Sequence, residues 1–377
     1  MRRFPILLAV LAFPACAVDL RYIAHAAFEL RSPGGVKLVV DPYNSHVWLG
    51  YTFPDNLSAD AVLVTHPHFD HDAWYYLRGF PAVFRQPGRY SIGDVTIQGL
   101  PGKHADPYGA EFGQINTIFT VETGGVRLAH LGDNGPLTPD NVKAMGRVDV
   151  LLLPLDETEH ILKFREIDAI VAALRPRVIV PMHYRFGPGM GPDDLGTIDA
   201  WVGKQRRVRD AGNQMTFSVR DLPSQPTVYR FQPAPEARPW SAQFWEALRA
   251  VRQFNRLLDQ AKGKPTAEQL AEIGPNLVKA TAREPGFIAG WHARATLARL
   301  QGRPEDAIQL LQTGLTVSYP DDTERTTLAR ALLAELLAER GLAAEARAQW
   351  QELLRISHRT DLQEKARRGL STTEPRP

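Results

Sequence analysis

Residues 61–74 read AVLVTHPHFDHDAW. The first five form a continuous apolar run closed by threonine, the pattern of a strand buried on both faces. The next stretch sets three histidines and two aspartates between positions 66 and 72, and Pro67 keeps them out of a helix. His66 and His68 are two residues apart, so in extended backbone their side chains leave on the same side. Asp70 and His71 follow at once and can face the same space from the start of a helix. A loop at the carboxyl end of a buried strand is where open α/β sheets place their sites. A lone H-x-H suits a solvated turn; H-x-H-x-D-H after such a strand reads as a metal-binding loop.

One loop with four ligands cannot enclose two ions, so further ligands are expected downstream. His104 in PGKH, Asp133 in LGDNG and His183 in PMHY each follow a strand candidate: 95–100, 126–131 and 177–182. Each alone would serve equally as a capping or core residue. Together, in this order, the seven positions resemble the metallo-β-lactamase superfamily over residues 20–220. The short interval from His71 to His104, and HAAFEL at 25–30, look most like the branch containing L-ascorbate 6-phosphate lactonase and N-acylphosphatidylethanolamine phospholipase D.

The resemblance implies an α/β fold, an αββα sandwich with two metals in a cleft along one sheet edge. By position, His66, His68 and His104 would hold one ion, Asp70, His71 and His183 the other, and Asp133 would bridge them. It further implies a hydrolase in which a hydroxide held between the ions attacks an ester, lactone or phosphodiester, with Asp70 and His25 nearest the chemistry. A donor set of imidazole and carboxylate without thiolate suits Zn2+, with Mn2+ or Fe2+ as alternatives. Neutral histidines are required, so activity is expected to collapse at acid pH.

Other residues admit two readings each. Asp41, ending VVDP, accepts the outer N–H of a ligand histidine or is a turn aspartate. Asp72 relays a proton or caps the helix; Tyr184 donates to substrate or packs. Trp48, Tyr51 and Phe53, in the aromatic loop 43–55, supply an apolar substrate wall or fill an interdomain seam. His46 in that loop receives no role.

The rest of the chain sets the context. A length of 377 residues implies two domains. The net charge of +2, with no lysine/arginine run, argues against nucleic acid as a partner. MRRFPILLAVLAFPACA (1–17) reads as a signal peptide: paired arginines, a short apolar run and an A-x-A site. That predicts an exported, periplasmic protein, or a lipoprotein anchored through Cys16, with no transmembrane span in the mature chain.

The hydrolase domain is expected over 18–232, a proline-rich linker over 233–240, a helical domain over 241–370 and a disordered tail over 371–377. Within the helical part, Gly302–Ala307 and Gly341–Ala346 repeat one signature, resembling tetratricopeptide units. Such a tail offers a surface for a protein or peptide partner, while the cleft takes a small-molecule or lipid-like substrate. The alternative to a hydrolase is an interaction protein whose tail binds the partner and whose metals only hold the fold.

Overall fold

The computed structural model describes residues 17–373 except 47–48, 106–108, 111–112, 187–194, 320–322 and 358. The expected signal segment 1–16, with Cys16, and Trp48 lie outside the described residues. Two sheets share one core. The first runs in spatial order β13 (Gln214–Phe217), β1 (Val18–Ala24), β2 (Ala27–Arg31), β3 (Lys37–Val40), β4 (Ala61–Leu63), β5 (Ala82–Phe84). The second runs β12 (Val208–Asp210), β14 (Thr227–Arg230), β11 (Val178–Met182), β10 (Val150–Pro154), β9 (Val126–His130), β8 (Ile115–Thr123), β7 (Val95–Lys103), β6 (Gly88–Ile92). This is the two-sheet metallo-β-lactamase arrangement expected from the sequence.

Burial explains the order. β10, VLLLP, is buried at every position and pairs in parallel with β9 and β11, as a strand without a polar face must. Cutting Leu151 or Leu153 to alanine would remove packing that costs about 2–5 kcal/mol to lose. β6, at the sheet edge, alternates exposed and half-buried residues. Helix α1 (Pro139–Met145) starts at Thr138, whose side chain accepts from the Asn141 N–H, with Pro139 in the first turn. Helix α2 (Phe164–Leu174) buries Ile167, Ile170 and Leu174, three and four residues apart, on one face.

Two local readings are corrected. LRYIAHAAFEL (20–30), whose pattern reads as one strand paired with VKLVVDP (36–42), is not one strand; it is the hairpin β1–β2, broken where His25 takes φ +56°. No α-helix follows the HPHFDH loop either. A single 3-10 turn, Trp74–Tyr76, starts at Ala73 with no side-chain cap, so Asp72 caps nothing. Its carboxylate instead receives two 2.7 Å hydrogen bonds from the Arg85 guanidinium.

Beyond the short helix α3 (Asp199–Val202) and β12–β14, the chain is helical: α4 (Ala242–Gln260), α5 (Ala267–Arg283), α6 (Ile288–Leu300), α7 (Pro304–Val317), α8 (Thr323–Glu339), α9 (Ala343–Ile356) and α10 (Thr360–Thr372). These helices bury their own apolar clusters, separate from the sheet core. Gly302 and Gly341 take φ +72° and +75° at the ends of α6 and α8, a conformation side chains resist. Ala307 and Ala346, near the starts of α7 and α9, are fully buried, so the repeated signature marks two equivalent helix–turn–helix junctions. Among the described residues, no helix is long and apolar enough to cross a membrane.

Candidate metal centre

Topology brings the scattered ligand candidates to one place. β7, β9 and β11 run in the same direction, through β8 antiparallel to β7 and β9 and β10 parallel to β9 and β11. Their carboxyl ends therefore share an edge, and His104, Asp133 and His183 leave from it. In the first sheet β3 and β4 are parallel, so Asp41 and the 65–71 loop emerge side by side. The Asp41 N–H bonds to the Leu63 carbonyl, and Asp41 Oδ1 accepts from the Thr65 N–H at 2.8 Å.

Asp133 sits at the centre. Its Oδ2 lies 3.8 Å from His66 Nε2, 3.6 Å from His104 Nε2 and 3.2 Å from His183 Nε2, and its Oδ1 lies 3.3 Å from His71 Nε2. From the other side, Asp70 Oδ2 is 3.5 Å from His71 Nε2 and 3.8 Å from His183 Nε2. The donor atoms fall into two groups, His66–His68–His104–Asp133 and His25–Asp70–His71–His183, each within 4.8 Å of one another. Two atoms bound at about 2.1 Å and a tetrahedral angle would lie about 3.4 Å apart, so this spacing has the size of a coordination shell.

The residues fit a cation on a second count. The inward Nε2 atoms of His66, His71 and His104 are buried and meet no partner in hydrogen-bond geometry. Orphaned buried polar atoms are costly, and three around one carboxylate call for a shared partner. Their outer nitrogens are all engaged. His71 Nδ1–H donates to Asp41 Oδ2 at 2.8 Å, and His104 Nδ1–H to the Ala105 carbonyl at 2.9 Å. His66 Nδ1 lies 3.0 Å from Thr65 Oγ1, whose own hydrogen goes to Asp41 Oδ2 at 2.7 Å. Thr65 must then accept, so His66 carries its proton on Nδ1. In its neutral form each ring therefore turns its Nε2 lone pair to the centre, the tautomer a metal requires.

Electrostatics point the same way. Burial drives His25 down to about 3 and His68 to about 4, and with its neighbouring histidines holds His66 well below its usual value. Burial opposes the charge on Asp70, yet the positive charge of His71 and the His25 hydrogen bond overcome it and hold its pKa well below normal. At Asp133 burial is likewise outweighed, by the charges of His183 and His71. His71 and His183 go up: burial lowers them, but Asp133 wins in both. The pocket thus concentrates negative charge that protons on His71 and His183 offset when nothing else does.

His25 stands apart from the other imidazoles. Its Nε2 is 3.0 Å from Asp70 Oδ2, so Nε2–H donates and fixes that carboxylate. His25, Asp41 and His183 all have positive φ, +56°, +46° and +60°, and the His183 N–H bonds to the His25 carbonyl. Such strain in side-chain-bearing residues clusters where the fold holds a site. Tyr184 faces elsewhere: buried beside Phe186 and Tyr22, it donates to the Phe231 carbonyl at 3.4 Å. Phe53 is buried edge-on to Tyr43 and stacked on Tyr76.

Three further residues build the centre without having been singled out. Thr65 links His66 to Asp41. His130 donates Nε2–H to the Ala26 carbonyl and accepts the Gly132 N–H on Nδ1, which anchors the turn to Asp133. Asn116 accepts the Asp133 N–H and donates to the Leu131 carbonyl. Gly132 has φ +57°, and a Cβ there would meet Thr65 Oγ1 and Asn116 Oδ1 at 2.5 Å. Thr65 lies inside the quoted motif, but His130 and Asn116 carry no sequence signal beyond their residue type.

Residues 19–183 match the family model described as a β-lactamase superfamily domain. A UPF0173 metal-dependent hydrolase of Pyrobaculum islandicum is 31% identical over 200 residues, 45% of this chain and 86% of the relative. The chain belongs to the metallo-β-lactamase superfamily. A second UPF0173 metal-dependent hydrolase, from Myxococcus xanthus, is 28% identical over 225 residues, 51% of this chain and 78% of the relative. Among solved structures, a superfamily member from Thermotoga maritima shows 27% identity and a TM-score of 0.47, covering 58% of this chain and all of that one. In this chain, the segment matched by the family model runs from Asp19 in β1 to His183 and so contains every proposed ligand.

Proposed function

We propose that the protein is a metal-dependent hydrolase with a dinuclear centre, Zn2+ first and Mn2+ or Fe2+ as alternatives, acting on an ester, lactone or phosphodiester. The observation that carries this reading is the shell of buried Nε2 atoms around Asp133 that meet no hydrogen-bond partner, each with its outer nitrogen already engaged. His66, His68 and His104 would hold one ion and His71, His183 and Asp70 the other, with Asp133 reaching both. Divalent ions bound there supply Lewis acidity, which lowers the pKa of water and polarises a carbonyl or phosphoryl oxygen.

The chain's own residues do the rest. Asp41, directly and through Thr65, locks the rings of His71 and His66. His25 holds Asp70 by its 3.0 Å hydrogen bond to Oδ2, which would orient that carboxylate towards an ion and the attacking water. Burial excludes bulk water from the ligands and strengthens each of these contacts. The N-terminal pattern of residues 1–17 supports export.

The test is metal analysis together with a chromogenic panel of esters, lactones and phosphodiesters. Two ions per chain are expected, with turnover abolished by a chelator and restored by the metal. Two ions with no turnover on any class would leave the interaction-protein alternative.

A further inference from the structure

The helical region holds a groove that shares no residue with the metal centre. Helix α6 forms its floor and α5 and α7 its walls, and both walls pack on α6 far more than on each other. The space between them measures about 520 Å3, the size of a pocket for a small ligand or a few side chains. Leu297 and Ala298 are buried beneath it. Val278 on α5, 50% exposed, and Leu310 on α7, half-buried, give it apolar sides.

Two side chains of α6 give the groove its chemistry. The Trp291 indole N–H donates to the Pro285 carbonyl at 2.8 Å, and Gly314 of α7 comes so close that a Cβ there would meet Trp291 Cβ at 2.5 Å. That ring cannot shift towards α7. The half-buried Arg294 lies with Cζ 5.3 Å from the Trp291 ring centroid, and its Nη1 donates to Thr281 Oγ1 at 2.8 Å. Thr281 spends its own hydrogen on the Val278 carbonyl at 3.1 Å, so it can only accept from the arginine. A guanidinium has five N–H donors. This one is held by a neutral ring and a neutral hydroxyl, and among the described residues it meets no carboxylate. The other ionisable groups lining the groove, Arg303 and Asp306, pair with each other. One positive charge is left uncompensated. Burial lowers the Arg294 pKa and no carboxylate opposes that shift.

We propose that this groove binds an acidic peptide segment of a partner protein, taking an aspartate or glutamate carboxylate on Arg294 and the neighbouring apolar side chain against Val278 and Leu310. The carboxylate supplies the charge that the groove lacks, and the planar fork of the guanidinium can take both of its oxygens at once. Trp291 and Thr281 hold the arginine in place beforehand, so little side-chain freedom is lost when the ligand arrives. The walls α5 and α7 flank α6, which leaves a trough in which an extended chain can lie. The proposal does not depend on the hydrolase reading.

The experiment probes a synthetic array of short random peptides with the full chain and titrates the strongest binder by fluorescence polarisation. Bound sequences should be enriched in aspartate or glutamate beside leucine, isoleucine, valine or phenylalanine. Changing that acid to its amide should weaken binding about tenfold, the scale of one charge-assisted hydrogen bond, and added salt should weaken the acidic peptide alone. Arg294→Gln should erase the difference between acid and amide. Val278→Glu, at an exposed position where the fold tolerates it, should weaken the acidic peptide several-fold, and Val278→Lys should strengthen it; this pair decides the matter if Arg294→Gln does not fold. An array that binds nothing, or binds without acidic enrichment, overturns the proposal. So do an acid preference that survives Arg294→Gln and equal affinities in the two Val278 variants. A concentration-dependent dimer broken by Val278→Glu would place a second copy of the chain in the groove and overturn it as well.

Discussion

Replacing Asp41 by asparagine tests the logic of the metal centre most directly, because it changes one atom far from any substrate. Asparagine tolerates the positive φ of +46° at this position, so the backbone need not move. With its amide oxygen placed at Oδ1, it still accepts the Thr65 N–H. The amide NH2 then replaces Oδ2, which now accepts from both Thr65 Oγ1 and His71 Nδ1. A donor facing a donor forces His71 to move its proton to Nε2. Thr65, now accepting from the amide, turns its hydrogen towards His66 Nδ1 and moves that proton to Nε2 as well. Two ligand lone pairs are lost at once. Removing one such outer partner costs about 10- to 100-fold in metal affinity, so two should cost about 10²- to 10⁴-fold, roughly 3–5.5 kcal/mol. Competition against a chromophoric zinc chelator reads the change, and circular dichroism confirms the fold. A variant that binds zinc within threefold of wild type would refute the account of Asp41 as the group that sets both tautomers.

Other outcomes follow from the same geometry. Metal removal should lower the melting temperature by roughly 10 °C, since an ion at a thousand times its Kd contributes about 4 kcal/mol, and an unchanged transition in a chelator would show that the pocket binds nothing. Metal affinity should fall as pH falls below neutral. His71 and His183 are raised, so their protons must leave for the ion to bind, whereas His68, at about 4, and His25, at about 3, begin to compete only in acid. Calorimetry in buffers of different ionisation enthalpy should therefore record up to two protons released near pH 6, and release of none would contradict it. Gly132→Ala should cost about 1–3 kcal/mol and loosen Asp133, because φ +57° and the 2.5 Å approach to Thr65 and Asn116 leave no room for a methyl group; melting curves with metal titration check both effects. Arg85→Ala should destabilise by about 1–3 kcal/mol, more at alkaline than at acid pH, because burial already raises Asp72 to about 7 and without the guanidinium it takes up a proton; urea unfolding at several pH values measures it.

How much of this could be read from the chain depends on the range of each contact. The ligand loop was legible because AVLVT and HPHFDH are local, and a period-two pattern next to a buried strand needs no tertiary information. His104, Asp133 and His183 were legible only as a set, since what joins them is the shared edge of β7, β9 and β11, and sheet order is not written in any one segment. The break at His25 was missed because periodicity cannot register a left-handed residue in an apolar run. The hydrophobic pattern across 20–30 is unbroken, and the turn is imposed by the His183 N–H bond to the His25 carbonyl, from 158 residues away. His130 and Asn116 were invisible for the same reason: each acts on the Asp133 turn through a backbone group. The aromatic loop makes the point from the other direction. Its composition allowed a substrate wall or a domain seam, and the linker bonds at Gly50 and Thr52, backbone to backbone across about 190 residues of sequence, are contacts that composition alone does not announce.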